Sequence, residues 1–457
     1  MRNFFILLSS IILINNVNGQ SVSYDSLNIN NINARFYSAG QMFQDTINNK
    51  SAYEIIQGSG QHTIFSANLW FGGLDSNNQL SLAAQQFGSG DFFYGPLGKC
   101  GVNGLQYGNQ TNYDKVWKIS KQEIDDFITW YLCGITPGCV QSPTYVVPNV
   151  ILNWPAHGDI NCGHDFYLAP FYDRPGGTPG VYDPINDGDY PCIKGDMALF
   201  HIFNDNGPHT ASGGDIIGIE IKAMHYAYNH DPTLSGYDTS LMNTIFSEYE
   251  VINRTNYEFT NFHIGVFEDM DIGCSEDDFV GCDVARGLVY TYNGDSIDNG
   301  CNGAFGANPP AQGMVILKGI KQDNDLIDNP LTNNISLALS QNGIPYEGLG
   351  CGYGDNIADN EYKGLSKFVY FDRLLPGNIF GNPYTAIGHY NYMKGLWRDN
   401  TPFVYGATGN SSSPGATSIL TDYCFPGLSD SLNWGTGGIV PPYSDWSEQS
   451  PQGPGTT

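Results

Sequence analysis

The sequence predicts a mainly β protein: packed antiparallel sheets, sandwich-like, with long Gly- and Asp-rich loops and one or two short helices. Three observations predict it. Apolar and polar residues alternate in short runs, the period of a half-buried strand. Gly and Pro, 56 and 25 of the 457 residues, punctuate those runs too often for long helices. Aromatic residues reach 13% while charged residues make up only 14%, which suits a loop-rich extracellular β protein and not a disordered chain.

The elements follow in order. Residues 51–74 read as two strands around the Gly58-Ser59-Gly60 turn, and 79–85 as a further strand after the turn at 75–78. A Gly-rich loop covers 88–104. One helix is clear over 120–132. Ser120 and Glu123 form a capping box, and Ile124, Phe127, Ile128, Tyr131 and Leu132 share one face. Four prolines between 143 and 170 leave only short extended pieces. Residues 198–204 and 216–228 read as strands. Residues 244–253 and 257–267 alternate and read as a paired hairpin. Strands follow at 288–292, 313–320 and 366–371, a second helix within 384–397, and short strands among turns over 402–440. The organisation expected is a signal peptide over 1–19, an N-terminal β region with one helix over 20–140, a larger β region with acidic loops over 141–446, and a Pro/Gly-rich linker or truncated tail over 447–457.

The first residues carry export chemistry. Arg2 supplies a basic start, 4–14 an apolar stretch too short to span a membrane, and Val17-Asn18-Gly19 small residues for cleavage. No later stretch reads as a transmembrane segment, so a secreted or cell-surface location is expected. Acidic residues outnumber basic ones 46 to 19, a formal charge of −27 that excludes nucleic acid as a partner. Ten cysteines in an exported chain imply disulfides. The two close pairs, Cys133 with Cys139 and Cys274 with Cys282, are the expected bonds. Cys162 with Cys192 and Cys301 with Cys351 are further candidates.

The densest chemistry lies at 265–287. Asp269, Asp271, Asp277, Asp278 and Asp283 crowd a window with Glu268 and Glu276 and no Lys, so their charges repel unless a cation joins them. Calcium fits, because it takes about six to eight oxygens in an irregular shell. The five aspartates are its candidate ligands, with Gly273 and Gly281 allowing turns. The other reading is a solvated acidic loop pinned by a disulfide. A second acidic stretch at 173–191 places Asp173, Asp183, Asp187 and Asp189 where turn geometry alone would select aspartate.

Catalytic signatures are absent: no HExxH, no GxSxG, no phosphate loop. His157, Asp159, His164 and Asp165 sit close in sequence, as a metal site or a base with its orienter would. Glu248, Glu250, Glu268 and Asp269 could pair for glycoside hydrolysis, although any strongly acidic chain offers such pairs.

Several stretches resemble a known family. They are Asn33-Ala34-Arg35-Phe36 with Ser38-Ala39-Gly40-Gln41-Met42-Phe43, residues 60–75, Ile151-Leu152-Asn153-Trp154-Pro155 and Tyr167-Leu168-Ala169-Pro170-Phe171. The window 265–287, Tyr390-Asn391-Tyr392-Met393-Lys394-Gly395-Leu396-Trp397 and Cys424-Phe425-Pro426-Gly427 extend the match. Together they resemble the N-terminal region of secreted Bacteroidota surface proteins exported by the type IX secretion system, over roughly 33–450. The resemblance implies export to the cell surface and carries no activity. Two departures stand out. Where relatives have a run of carboxylates before Tyr182-Asp183-Pro184, this chain has Asp173-Arg174-Pro175-Gly176, which removes the middle carboxylates and adds a positive charge. The sequence also ends before a sorting domain, which implies a fragment or an atypical member.

The expected role is a calcium-stabilised extracellular surface protein for adhesion or for binding a glycan or surface-protein ligand. The alternatives are a secreted glycan-active hydrolase and a structural spacer.

Overall fold

The computed structural model describes residues 22–450 apart from 89, 100–110, 230–238, 323, 333, 335, 337–349 and 372–379. The expected signal segment 1–19 and the tail beyond 450 lie outside the described residues.

The molecule is mainly β and built of antiparallel sheets. In chain order the principal elements are β1 (Tyr24–Leu27), β2 (Ile32–Tyr37), β3 (Tyr53–Ile55), β4 (Ser66–Leu74), β5 (Leu80–Ala84), β6 (Phe93–Tyr94) and β7 (Trp117–Ser120). Then come α1 (Lys121–Ile135), β8 (Met197–Asn204), β9 (Ile219–Ala227), β10 (Phe246–Asn253) and β11 (Thr260–Asp269). The last are β12 (Asp278–Asp283), β13 (Leu288–Asn293), β14 (Ala311–Val315) and α2 (Ala386–Met393). One sheet runs β10–β9–β8–β6, with β7 also on β8; others run β11–β4–β5, β1–β2–β3 and β12–β13–β14. Strands on either side of residue 140 pair with each other, since β11 lies on β4 and β8 on β7.

The sequence dictates these elements locally. Strand β4 is buried on both faces, so its residues form a nearly continuous apolar run rather than an alternation. The Ser120 cap of α1 is formed as the spacing predicts: its hydroxyl takes the Glu123 N–H, and the Glu123 carboxylate takes the Ser120 N–H at 2.8 Å. Ile124, Phe127 and Tyr131 are buried against β7 and β8 residues such as Trp117 and Phe200, while Leu132 stays largely outside. Thr385 caps α2 through the Gly388 N–H.

One expectation is corrected. The alternating stretches 244–253 and 257–267 do not pair as a hairpin: β10 lies on β9 and β11 on β4, in different sheets. The reason sits between them. The Arg254 N–H donates to the Gly218 carbonyl at 3.0 Å, and its guanidinium grips Asp165 and the fully buried Glu220. That anchor forces the chain to cross from one sheet to the other. The strands expected at 366–371 and over 402–440 are reduced to isolated bridges such as Phe368 to Tyr423 and Val404 to Leu420. There, aromatic packing replaces ladders: Trp397 stacks on Phe403 at 3.9 Å between ring centres, and Trp446 sits against Tyr405 and Phe425.

Candidate functional site

Two places qualify: the acidic window that the sequence singles out, and a surface cleft that it does not.

In the acidic window, β11 ends at Asp269, and a turn through Gly273, at φ +61°, leads to Cys274. A Cβ on Gly273 would stand 2.1 Å from Asp298 Oδ2, so only glycine lets the backbone approach that carboxylate. Asp298, fully buried, accepts the Cys274 N–H at 3.2 Å and the Phe305 N–H at 2.6 Å. This clamp explains the cysteine pairing. Cys133–Cys139 is bonded as expected, but Cys274 bonds to Cys301 and not to Cys282. Asp298 draws the 298–305 turn onto Cys274. Cys282 instead stands within β12, opposite Val289, where its N–H bonds the Phe425 carbonyl. It remains a buried thiol beside Cys424, and burial pushes both thiols up. Neither further candidate pair forms. Cys162 is disulfide-bonded while Cys192 is free, and Cys351 is free while Cys301 is taken.

The five aspartates do not share one point. Asp278 and Asp283 mark opposite ends of β12, about 16 Å apart at ~3.3 Å per extended residue. Asp283 caps the following turn by accepting the Arg286 N–H, and its carboxylate pairs with the Arg286 side chain. Gly281 makes no turn; it lies in β12, where a Cβ would meet the Tyr290 ring at 2.7 Å. Asp269 and Asp271 have interactions of their own. What the fold brings together is Asp277 and Asp278 with Asp298 and Asn293. Asp278 Oδ2 takes the Ile272 N–H at 2.7 Å, while its Oδ1 is enclosed and has no donor. Asn293 donates to Asp277 Oδ2, and its own carbonyl oxygen is likewise enclosed without a donor. Burial, with Asp277 and Asp298 nearby, pushes the Asp278 carboxyl up to about 7. Among the described residues, no three His, Cys, Asp or Glu side chains are gathered to hold a metal ion.

Most of the histidine and glutamate candidates are tied into structural bonds, while His164 Nε2 is buried without a hydrogen-bond partner. His157 is bonded through both ring nitrogens, to the Phe166 carbonyl at 3.1 Å and the Tyr182 N–H at 2.8 Å, which leaves no nitrogen for catalysis. Asp159 caps a short turn. His164 Nδ1 faces the Asp159 N–H, and Asp165 is held below its ordinary range by the bond from Arg254. Glu248 pairs with Lys194 and Glu250 with Lys222. Glu268 stands apart. The residue keeps slight exposure, but its Oε2 is enclosed without a donor, and burial of the carboxyl pushes it up to about 8.

The cleft has a volume of about 400 Å³ and opens where the β4–β5 turn meets the segments 215–218 and 255–259. Asp75 builds its floor turn by accepting the Asn77 and Gln79 N–H groups, each at 2.8 Å, with Asn78 left-handed at φ +58°. The opposite wall depends on Arg254. Asn253 Nδ2 holds the Tyr257 carbonyl at 2.9 Å, which presents Tyr257 with 61% of its surface exposed above the cleft. Asn77, Gln79 and Asp215 supply polar groups beside Tyr257 and Phe259. Sequence reading missed this site because its residues come from three distant segments. The signal available was the turn chemistry at 75–78 and an aromatic pair just after Asn253.

No protein-family model, curated protein or solved structure matches the chain. Among the described residues, no helix is long and apolar enough to cross a membrane.

Proposed function

We propose that the chain is an extracellular surface protein, of the type IX secretion kind its motifs resemble, that binds glycans in the cleft beside Tyr257. The observation that carries this is the lining: carboxylate and amide residues share the cleft with Phe259 and the exposed Tyr257. Sugars need both, since hydroxyls take directional hydrogen bonds while the C–H face of a ring packs on an aromatic surface. The carboxyls with raised titration, Asp205, Glu268, Asp278 and Asp430, are not among the cleft's lining residues, which favours binding over hydrolysis. Asp205, raised by burial, lies behind the wall with its oxygens taken by the N–H groups of Ile217, Gly218 and Ile219. A calcium ion beside Asp277 and Asp278 belongs to the same reading as a stabiliser, supported by the enclosed oxygens of Asp278 and Asn293.

A glycan array probed with the purified chain tests it. Tyr257→Ala should lower retention on the positive glycans at least tenfold while leaving the melting temperature unchanged, because the ring is exposed. An array without positives, or equal retention by the variant, defeats the reading.

A further inference from the structure

Two loops, 325–329 and 354–361, are laced together by their own polar groups. The Gly354 N–H donates to the Asn329 carbonyl at 2.9 Å and to Asp328 Oδ1 at 2.8 Å. The Asn356 N–H reaches Asp328 Oδ2 at 2.6 Å, and the Leu326 N–H reaches Asp359 Oδ1 at 2.9 Å. Where they meet, Glu361 is 0% exposed, and its Oε1 accepts the Asn329 N–H at 2.6 Å. Its other oxygen, Oε2, is enclosed and accepts nothing. Asn329 is also 0% exposed, and neither Oδ1 nor Nδ2 of its side chain has a partner. Two fully buried polar side chains, held against each other by one main-chain bond, thus leave their remaining polar atoms unanswered. Native interiors rarely tolerate this without a water or an ion.

The charge decides between the two. A water could satisfy the Asn329 amide, but it leaves the Glu361 carboxylate uncompensated. None of the ion pairs among the described residues involves Glu361, Asp325, Asp328, Asp355 or Asp359. Asp328 and Asp359, which lace the two loops, add negative charge nearby. Lys321 and Lys363, on the paired stretches beside Glu361, are exposed and bridge to no carboxylate among the described residues. We propose that a calcium ion binds between these loops, ligated by Glu361 Oε2 and Asn329 Oδ1, with loop carbonyls and water completing about six to eight oxygens. A shell built from one carboxylate, an amide and carbonyls is consistent with the absence of any gathered group of three His, Cys, Asp or Glu side chains among the described residues. It also disfavours zinc, which selects nitrogen and sulfur donors. The proposal is independent of the glycan reading and of the ion beside Asp278.

The test is a titration of the full chain, freed of metal with chelator, in an Asp278→Asn background so that the other acidic window is disabled. Calcium binding is followed by calorimetry, and terbium by its emission on tyrosine excitation, since Tyr353 and Tyr362 flank the site in sequence. The parent should bind calcium and give sensitised emission that calcium displaces. Glu361→Gln, nearly isosteric, should weaken calcium at least tenfold and abolish the emission. Asn329→Asp, which adds a carboxylate in the same place, should bind as tightly or more tightly. A parent that binds neither ion overturns the proposal. So does a folded Glu361→Gln variant with unchanged affinity, or a weaker Asn329→Asp.

Discussion

The acidic loop at 173–189 and the loop pair at 325–361 look alike in sequence and differ in how they spend their oxygens. In the first, Asp189 is fully buried, and its two oxygens accept the N–H groups of Arg174 and Asp183, each at 2.8 Å. Asp183 takes the N–H groups of Ile185 and Asn186, Asp187 takes that of Thr178, and Asp173 that of Gly180. Arg174, over the Tyr131 ring, adds the positive charge. That loop is closed by its own backbone. In the second, the buried carboxylate keeps an unused oxygen beside an amide with two unused atoms. The density of acids therefore does not point to an ion; buried oxygens left without a donor do.

The sharpest way to break this comparison is at Asp189. Asp189→Ala should cost about 3 kcal/mol, because it leaves two part-buried N–H groups without their acceptors at about 1–3 kcal/mol each. Urea denaturation measures the loss, and it should be the same with calcium or with chelator. A loss that appears only with calcium would mean that this loop too holds an ion.

Glu268 sharpens the comparison from another side, since its unused oxygen is answered by a proton. Its folded carboxyl titrates at about 8 against an ordinary 4.5. The unfolded chain gives up the proton first, so this group favours folding fully below about pH 4.5, and that contribution is lost as pH rises to 8. Glu268→Gln should be neutral near pH 4 and stabilising by about 2 kcal/mol near pH 9, with discounting for relaxation around the charge. The histidines give the opposite limb. His201 and His225, buried with their Nε2 atoms 2.9 Å apart, can share one hydrogen but not two. Burial brings His201 down to about 4 from an ordinary 6.5. Here the unfolded state takes up the proton first, so stability holds above pH 6.5 and falls as pH drops towards 4. Melting curves from pH 4 to 9 should show both limbs, and Glu268→Gln should flatten only the alkaline one.

Much of this was legible in the sequence, and the failures share one cause. The β class, the Ser120 cap and strands such as Ile219–Ala227 follow from patterns within a few residues. The Cys133–Cys139 bond follows in the same way, because a short Gly/Pro turn brings its ends together. The hairpin over 244–267 and the Cys274–Cys282 bond were equally local readings, and distant partners overrode both. Arg254 is tied to Asp165, 89 positions away, and Asp298 sits 24 positions from Cys274. The cleft was invisible for the same reason: Asp75, Asp215 and Tyr257 become neighbours only through the sheet order.

In chelator the smallest expected effect is at Asp278, and its change on adding calcium separates a proton from an ion at one carboxylate. With no metal, the Asp278 carboxyl sits at about 7 against an ordinary 3.8, so the unfolded state ionises first and folding is penalised increasingly from pH 4 to 7. The group is partly exposed, which screens the penalty to about 1 kcal/mol. Asp278→Asn should therefore raise stability by about that amount at pH 7.5 in chelator. Calcium reverses the logic, because it binds the ionised form and expels the proton. If the ion is present, the chain that keeps Asp278 should gain the larger share in calcium, by about 2.7 kcal/mol at a hundred times the dissociation constant. Asp278→Asn should forfeit that gain, so the order of the two chains inverts between chelator and calcium. Both measurements must be made in a Glu361→Gln background, to keep the loop-pair site from supplying the same response. An order that stays the same in both buffers would assign the enclosed Asp278 oxygen to a proton alone.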